Sequence, residues 1–322
     1  MAIDLLNLQP FYVKRDLSDK IFLFYGGIGT RKTSVSCRFP KPLLLACERG
    51  YNFINNVHVV DITSWRDIKE VLKQAKKNEV KGKYQTIIFD TVRIAYNLCY
   101  NYILNTYSIQ DPGELGFGKG WRLIREEFEK VILDFTKAGY AVVFIAHEDE
   151  LAESSKEVKM DIDKRPGAVI RSLSDIVLYC KKELKDGTED KVTVYAYSEN
   201  IAAECKTRAM YFPERIEFTY ENLEAALKEA IETQLNMDNI TDDMIEQSES
   251  VAAKNNSKGA MKFDDLKESA IALAGELLAQ SHLENTVTNL ITEIFNGKRL
   301  SECNEKDSDK FYFLMDRLEE LR

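Results

Sequence analysis

The chain has 322 residues, 44% of them hydrophobic, with a formal net charge of −9. That is room for one large domain plus an appendage, and it is ordinary globular composition. No stretch approaches the roughly 20 apolar residues of a membrane span, the N-terminus lacks the basic region of a secretory signal, and the six scattered cysteines form no C-x-x-C pair, which speaks against zinc and a disulfide framework. The expected setting is a reducing cytoplasm without membrane attachment. The charge is uneven: residues 221–322 carry 22 acidic against 11 basic side chains, a net of −11, and residues 1–220 a net of +2. The acidic tail repels nucleic acid, whereas the first part leaves room for a basic face.

After a leader over residues 1–19, Ile21 to Tyr25 is β-branched and aromatic and reads as a buried parallel strand. It runs into Gly26-Gly27-Ile28-Gly29-Thr30-Arg31-Lys32-Thr33-Ser34, followed by the start of a helix. Strand, glycine loop, Lys-Thr and helix make up a phosphate-binding loop. Its amides must point at phosphate oxygens, so side chains are unwelcome; Lys32 would reach the β/γ-phosphates of ATP and the Thr33 hydroxyl would ligate Mg²⁺. Arg31 stands where the pattern G-x-x-x-x-G-K-[ST] has its second glycine, and fits only with negative φ or tolerated strain. The bland alternative is a glycine-rich turn that binds nothing.

Leu43 to Cys47 reads as a second strand, ending in Glu48-Arg49-Gly50. The C-terminal strand edge is where open α/β sheets place ligands, so Glu48 is either a general base acting on water or a surface partner of Arg49. Val57 to Ile62 is a short third strand. Ser64 caps a helix to about Lys77, with Asp67 as an acidic capping-box partner. Thr86-Ile-Ile-Phe-Asp90 is apolar and then acidic, the pattern of a strand that delivers an Asp to a Mg²⁺ shell.

Thr91 to Tyr107 is a tyrosine-rich helix whose aromatics are read as core. The stretch from Asp111 to Trp121 carries four glycines around Phe117, Lys119 and Trp121. It suits contact with a single nucleic-acid strand, or it is a connector whose aromatics anchor the next helix, which runs to Lys137. Ala141 to Ala146 is a buried strand followed by His147-Glu148, with His147 either a sensor of the γ-phosphate or a satisfied structural histidine. Asp149 to Gly167, with Lys156, Lys159, Lys164 and Arg165, reads as a solvated loop or a second nucleic-acid loop. A hairpin follows, with strands at 175–182 and 192–197 and its turn at 185–190. A further strand leads to Lys206-Thr207-Arg208, two cations on one strand face, either a surface pair or paired fingers for a neighbouring phosphate site. Glu221 to Gln234 is a helix, residues 236–260 are a polar linker, and helical periodicity returns over 263–295 and 311–321. The divisions expected are a core over 1–220, a helix and flexible acidic linker over 221–260, and a small acidic helical module over 261–322.

Taken together, Gly26 to Thr33, Glu48, Asp90, His147 and Lys206-Thr-Arg208 resemble the RecA/RadA-type ATPase core. The compact version, with Gly-Phe-Gly-Lys-Gly-Trp and His-Glu after the buried strand, is similar to phage-encoded AAA-type nucleotide-binding proteins of the single-strand annealing group. The resemblance covers about residues 18–218. It implies an α/β RecA-like P-loop core with a mostly parallel sheet flanked by helices, ATP and Mg²⁺ as cofactors, and a location in the host cytoplasm. Lys32 and Thr33 would serve phosphate and Mg²⁺, Glu48 would activate water, Asp90 would join the metal shell, and His147 would be the sensor. Lys206 and Arg208 would act across a subunit interface in a filament or ring. The implied activity is ATP-dependent binding or annealing of single-stranded DNA, with Phe117, Lys119, Lys159, Lys164 and Arg165 as contacts. The competing expectation is a nucleotide-gated module, slow or inactive in hydrolysis, whose acidic tail recruits a protein partner.

Overall fold

In a computed structural model, residues 10–149, 158–184, 192–200, 202–246, 248, 263–280, 282–319 and 321 are described. The chain divides into two compact units, Val13–Thr241 and a smaller one formed chiefly from Asp242 onward.

The larger unit is built on one sheet. Its strands are β1 (Ile21–Gly26), β2 (Pro42–Ala46), β3 (His58–Asp61), β4 (Thr86–Asp90), β5 (Ala141–His147), β6 (Ile176–Leu184), β7 (Val192–Tyr197), β8 (Lys206–Thr207) and β9 (Arg215–Glu217). They lie in the order β3-β2-β4-β5-β1-β6-β7-β9, with β8 on β6. Pairings from β3 through β6 are parallel, and those of β7, β8 and β9 are antiparallel. The mixed sheet follows from the connections: helices separate the other parallel strands, β2 and β3 are joined by residues 47–57 without a helix, and β6 and β7 are too close in sequence for a crossover. β1 is buried at every position, as the apolar run 21–25 requires when both faces are covered. Leu23 and Tyr25 join a core with Leu45, Phe89, Phe144 and Phe128. On the other face, Phe22 meets Phe39 and Phe24 meets Phe218 edge-on, at 5.3 and 5.2 Å.

The helices are α1 (Lys32–Ser36), α2 (Trp65–Ala75), α3 (Asn78–Lys81), α4 (Val92–Tyr107), α5 (Lys119–Lys137), α6 (Lys164–Leu173) and α7 (Tyr220–Met237). The Ser64–Asp67 capping box closes as the sequence suggests: Asp67 N donates to Ser64 Oγ at 3.3 Å and Ser64 N to Asp67 Oδ2 at 2.8 Å. α1 spans five residues, with Pro40 and Pro42 shortly after it to bar a longer helix. α6 is a correction: Lys164 and Arg165 belong to its first turn rather than to an irregular loop. Helical spacing over Pro166, Gly167 and Ile170, all buried, was masked in sequence by the charges around it. The expected hairpin turn at 185–190, most of the expected linker and Lys156 lie outside the described residues. α7 falls within the larger unit.

The smaller unit packs α8 (Phe263–Leu278), α9 (Glu284–Phe295) and α10 (Ser308–Glu319) around Leu266, Leu273, Leu277, Phe295, Phe311 and Leu314. The helical stretch expected over 263–295 is thus two helices. No helix among the described residues is long and apolar enough to cross a membrane.

Candidate nucleotide site

Strands β2, β4, β5 and β1 are consecutive neighbours in the sheet, and parallel pairing brings their C-terminal ends to one edge. Those ends carry Glu48, Asp90, His147 and Gly26. Gly26 pairs with His147 on one side and Cys180 on the other. Its φ is +146°, and a Cβ would stand 2.0 Å from the Cys180 carbonyl oxygen, so only glycine ends the strand here. Glu48 is positioned by backbone: the amides of Cys47 and Glu48 both donate to the Asp90 carbonyl, at 2.8 and 3.2 Å.

Inside the loop, Lys32 is buried. Its ammonium donates to the carbonyls of Gly26 and Gly27 at 2.7 and 2.9 Å and to Thr30 Oγ1 at 3.0 Å. Burial pushes its pKa down, opposed by Asp90, Glu148 and Glu48. Thr30 ties the loop with a 2.8 Å bond from Oγ1 to the Gly27 carbonyl. Ile28, Gly29 and Ser34 are exposed along the rim. Arg31 has φ +60° and ψ +18°, so the left-handed geometry of the absent glycine is kept by an arginine and the strain is tolerated.

Thr33 Oγ1 donates to Asp90 Oδ2 at 2.7 Å. The backbone of Gly50 passes this pair closely, with an added Cβ lying 3.6 Å from Asp90 Oδ2. A hydroxyl and a carboxylate side by side are hard oxygen donors of the kind Mg²⁺ takes in small number beside substrate phosphates. Burial raises the Asp90 pKa, with the Thr33 hydrogen bond pulling the other way. At the same edge, His147 Nε2 lies 3.2 Å from Glu48 Oε1, and this hydrogen bond holds the Glu48 carboxyl below its ordinary range, against burial. Glu48 therefore bonds His147 rather than Arg49 in this arrangement. His147 Nδ1 is buried with no hydrogen-bond partner.

Two neighbours escaped the sequence reading of roles. Lys182 on β6 brings Nζ to 2.8 Å from where a Gly29 Cβ would stand, and Glu148 Oε1 comes within 2.9 Å of the equivalent point on Gly27. Tyr179 OH donates to Glu148 Oε2 at 3.2 Å. The Lys181-Lys182 pair carries no local signal, because the adjacency of β6 to β1 is a tertiary fact.

Of the two finger candidates, Lys206 lies in β8 and Arg208 just beyond it, and both have partners within the chain. Lys206 Nζ donates to the carbonyls of Ser174 and Arg171 at 2.6 and 3.0 Å, closing the C-terminal end of α6. Arg208 Nη1 pairs with Asp175 Oδ1 at 2.6 Å, while Asp175 Oδ2 accepts from Ile21 N at 2.9 Å.

Of the nucleic-acid candidates, Phe117 is fully exposed at the tip of Gly116-Phe117-Gly118, three successive residues with positive φ. Lys119 opens α5 rather than lying in the loop, and Lys159, Lys164 and Arg165 are exposed. The Arg165 guanidinium sits 4.5 Å from the Trp121 ring centroid. At Lys159, the backbone carbonyl accepts from Asp149 N at 2.8 Å.

A glycine loop after a buried strand, a buried lysine, and a Thr–Asp oxygen pair at the sheet edge define a P-loop NTPase fold. The match to known proteins agrees: an AAA domain family model, AAA_24, covers residues 18–212, and the chain belongs to this AAA family. It is also 33% identical, over all of its own length and 99% of the other, to the SPbeta prophage-derived uncharacterized protein YorG of Bacillus subtilis (strain 168). An AAA-type P-loop domain is a nucleotide-binding domain.

Proposed function

We propose that this protein is a phage-type, RecA-like ATPase that binds ATP with Mg²⁺ and uses it to engage and anneal single-stranded DNA as an oligomer. The observation that carries the nucleotide part is the juxtaposition of Lys32, Thr33 and Asp90 at one sheet edge, with Glu48 and His147 beside them. Bound Mg²⁺ would neutralise charge on the β- and γ-phosphates, held by Thr33 and Asp90. The Lys32 ammonium, which now bonds its own loop, exchanges those carbonyls for phosphate oxygens. Glu48 is ionised, as a base must be, and its hydrogen bond to His147 orients it. When His147 turns to the γ-phosphate, that bond breaks and Glu48 is free to take a proton from water.

The DNA part rests on the exposed Phe117, on Lys119, Lys164 and Arg165, and on the near-neutral charge of the larger unit. Self-assembly would bring Lys206 and Arg208 of one subunit toward a neighbour's phosphates, and the acidic C-terminal unit would take a protein partner. ATP hydrolysis should rise when single-stranded oligonucleotide is added at low salt, where phosphate contacts persist, and Lys32→Ala should lose it. A rate indifferent to DNA refutes the DNA part. ATP binding without DNA binding favours the nucleotide-gated interaction module, a reading supported by the strained Arg31 and by a Lys32 whose donors are already satisfied.

A further inference from the structure

The sequence reads the tyrosines of α4 as core and Trp121 as either an anchor for α5 or a single-strand contact. Tyr96 is buried in the core, with Tyr100, Tyr102 and Trp121 packed against it, and three of these rings also border a surface cleft. Tyr96, Asn97 and Tyr100 on α4, Trp121 on α5, and Lys164 and Arg165 at the start of α6 line a cavity of about 370 Å³. Tyr96 is buried and forms the inner end, while Tyr100 and Trp121 are half-buried. Their rings lie 5.9 Å apart, tilted by 50°. The Arg165 guanidinium covers the indole at 4.5 Å. Asp163 also lines the cleft, so the charges facing it are Lys164 and Arg165 against Asp163.

We infer that this cleft is the seat for an unstacked base of a single nucleic-acid strand, with Trp121 as the stacking surface and Tyr100 as its side wall. The inference rests on the single-strand reading given above and names its site. Three features select this ligand. The walls are aromatic, and a base offers a flat π-face that stacks on an indole whatever its identity. The mouth carries two cations, Lys164 and Arg165, that suit the phosphates on either side of the base. The cleft also lies next to the loop that holds Phe117 fully in solvent, a second ring for a neighbouring base. In the free protein the guanidinium occupies the place over the indole by a cation–π contact. An incoming base displaces it, and the freed Arg165 turns to the adjacent phosphate. Duplex DNA keeps its bases stacked inside the helix and cannot fill the cleft.

The two tryptophans make this readable. Trp65 is buried and stacked on Phe128, so a base can quench only Trp121. The full-length chain is titrated with a labelled oligothymidylate at low salt, with Mg²⁺ and a non-hydrolysable ATP analogue. Anisotropy reports binding and intrinsic emission reports stacking. Wild type should bind with quenching, and a duplex of equal length should give none. Trp121→Phe should bind within a few-fold of wild type and lose the quench. Trp121→Ala should weaken binding by about 5- to 150-fold. Because the indole also packs against Tyr100 of α4, Arg165→Gln on the exposed side chain serves as the second variant. It should weaken binding several-fold and lower the salt slope by about 1. Quenching that survives Trp121→Phe, or wild-type binding by Trp121→Ala, overturns the seat and leaves the single-strand reading standing. No binding of any oligonucleotide overturns both.

Discussion

Replacing Arg31 by glycine isolates one backbone angle. The residue sits at φ +60°, ψ +18°, and its side chain makes no capping hydrogen bond to α1. A left-handed conformation costs a residue with a Cβ about 1–2 kcal/mol. Glycine removes that cost but gives the unfolded chain more freedom, which offsets about 0.4–1 kcal/mol. The difference is a net stabilisation of about 0.8 kcal/mol, or about 2–3 °C in the melting temperature of a unit this size. Arg31→Ala keeps the Cβ and hence the strain, so it should gain nothing. Thermal melts of the three proteins without nucleotide decide the matter. If Arg31→Gly melts below Arg31→Ala, the arginine side chain is stabilising the loop and the strain is not the governing quantity. Because Gly-x-x-x-x-Gly-Lys-Thr is then complete, nucleotide affinity of Arg31→Gly should match or exceed wild type.

Asp90→Asn should raise the melting temperature at neutral pH while abolishing the Mg²⁺-dependent part of stabilisation by nucleotide. Burial raises the folded pKa of Asp90 above its ordinary 3.8, so the folded state holds that proton more tightly. Its contribution to stability therefore falls as pH rises from the ordinary value through the raised one. Glu48, lowered by His147, works in the opposite sense and loses its contribution as pH falls below its ordinary 4.5. The gain from Asp90→Asn should accordingly vanish at acid pH, and a gain of equal size at every pH would contradict the assignment. Lys182→Ala should weaken ATP binding by about 3- to 10-fold and ADP binding less, with Lys182→Arg restoring most of it; equal loss for both nucleotides would make Lys182 a cover for the loop only. Lys206→Met should cost about 1–3 kcal/mol of stability in the isolated subunit, because the α6 carbonyls lose a charged donor. An unchanged melt with loss of assembly-dependent hydrolysis alone would assign Lys206 to the neighbouring subunit instead.

The parts legible in sequence were those with a local signature. A continuous apolar run announced β1, the Ser64–Asp67 pair announced α2, and apolar runs ending in Asp90 and His147 announced strands whose ends meet. The sheet order that makes those ends adjacent follows from long-range pairing, and no spacing rule gave it. Lys182 and Glu148 became visible as loop neighbours only when β6 and β5 were seen flanking β1. The charged stretch before Gly167 hid α6, since Lys164, Arg165 and Arg171 obscure a short apolar face. Lys206 and Arg208 read as a surface pair or as fingers because the carbonyls and the carboxylate they bond belong to residues more than thirty positions earlier.

The most direct test of the central claim is a structure with a non-hydrolysable ATP analogue and Mg²⁺ bound. The triphosphate should lie along Gly26 to Thr33, with the Lys32 ammonium moved from the Gly26 and Gly27 carbonyls onto β- and γ-phosphate oxygens, and with the Thr33–Asp90 contact opened around the cation. An analogue bound elsewhere, or a Lys32 still bonded to its own loop beside a bound triphosphate, would contradict it.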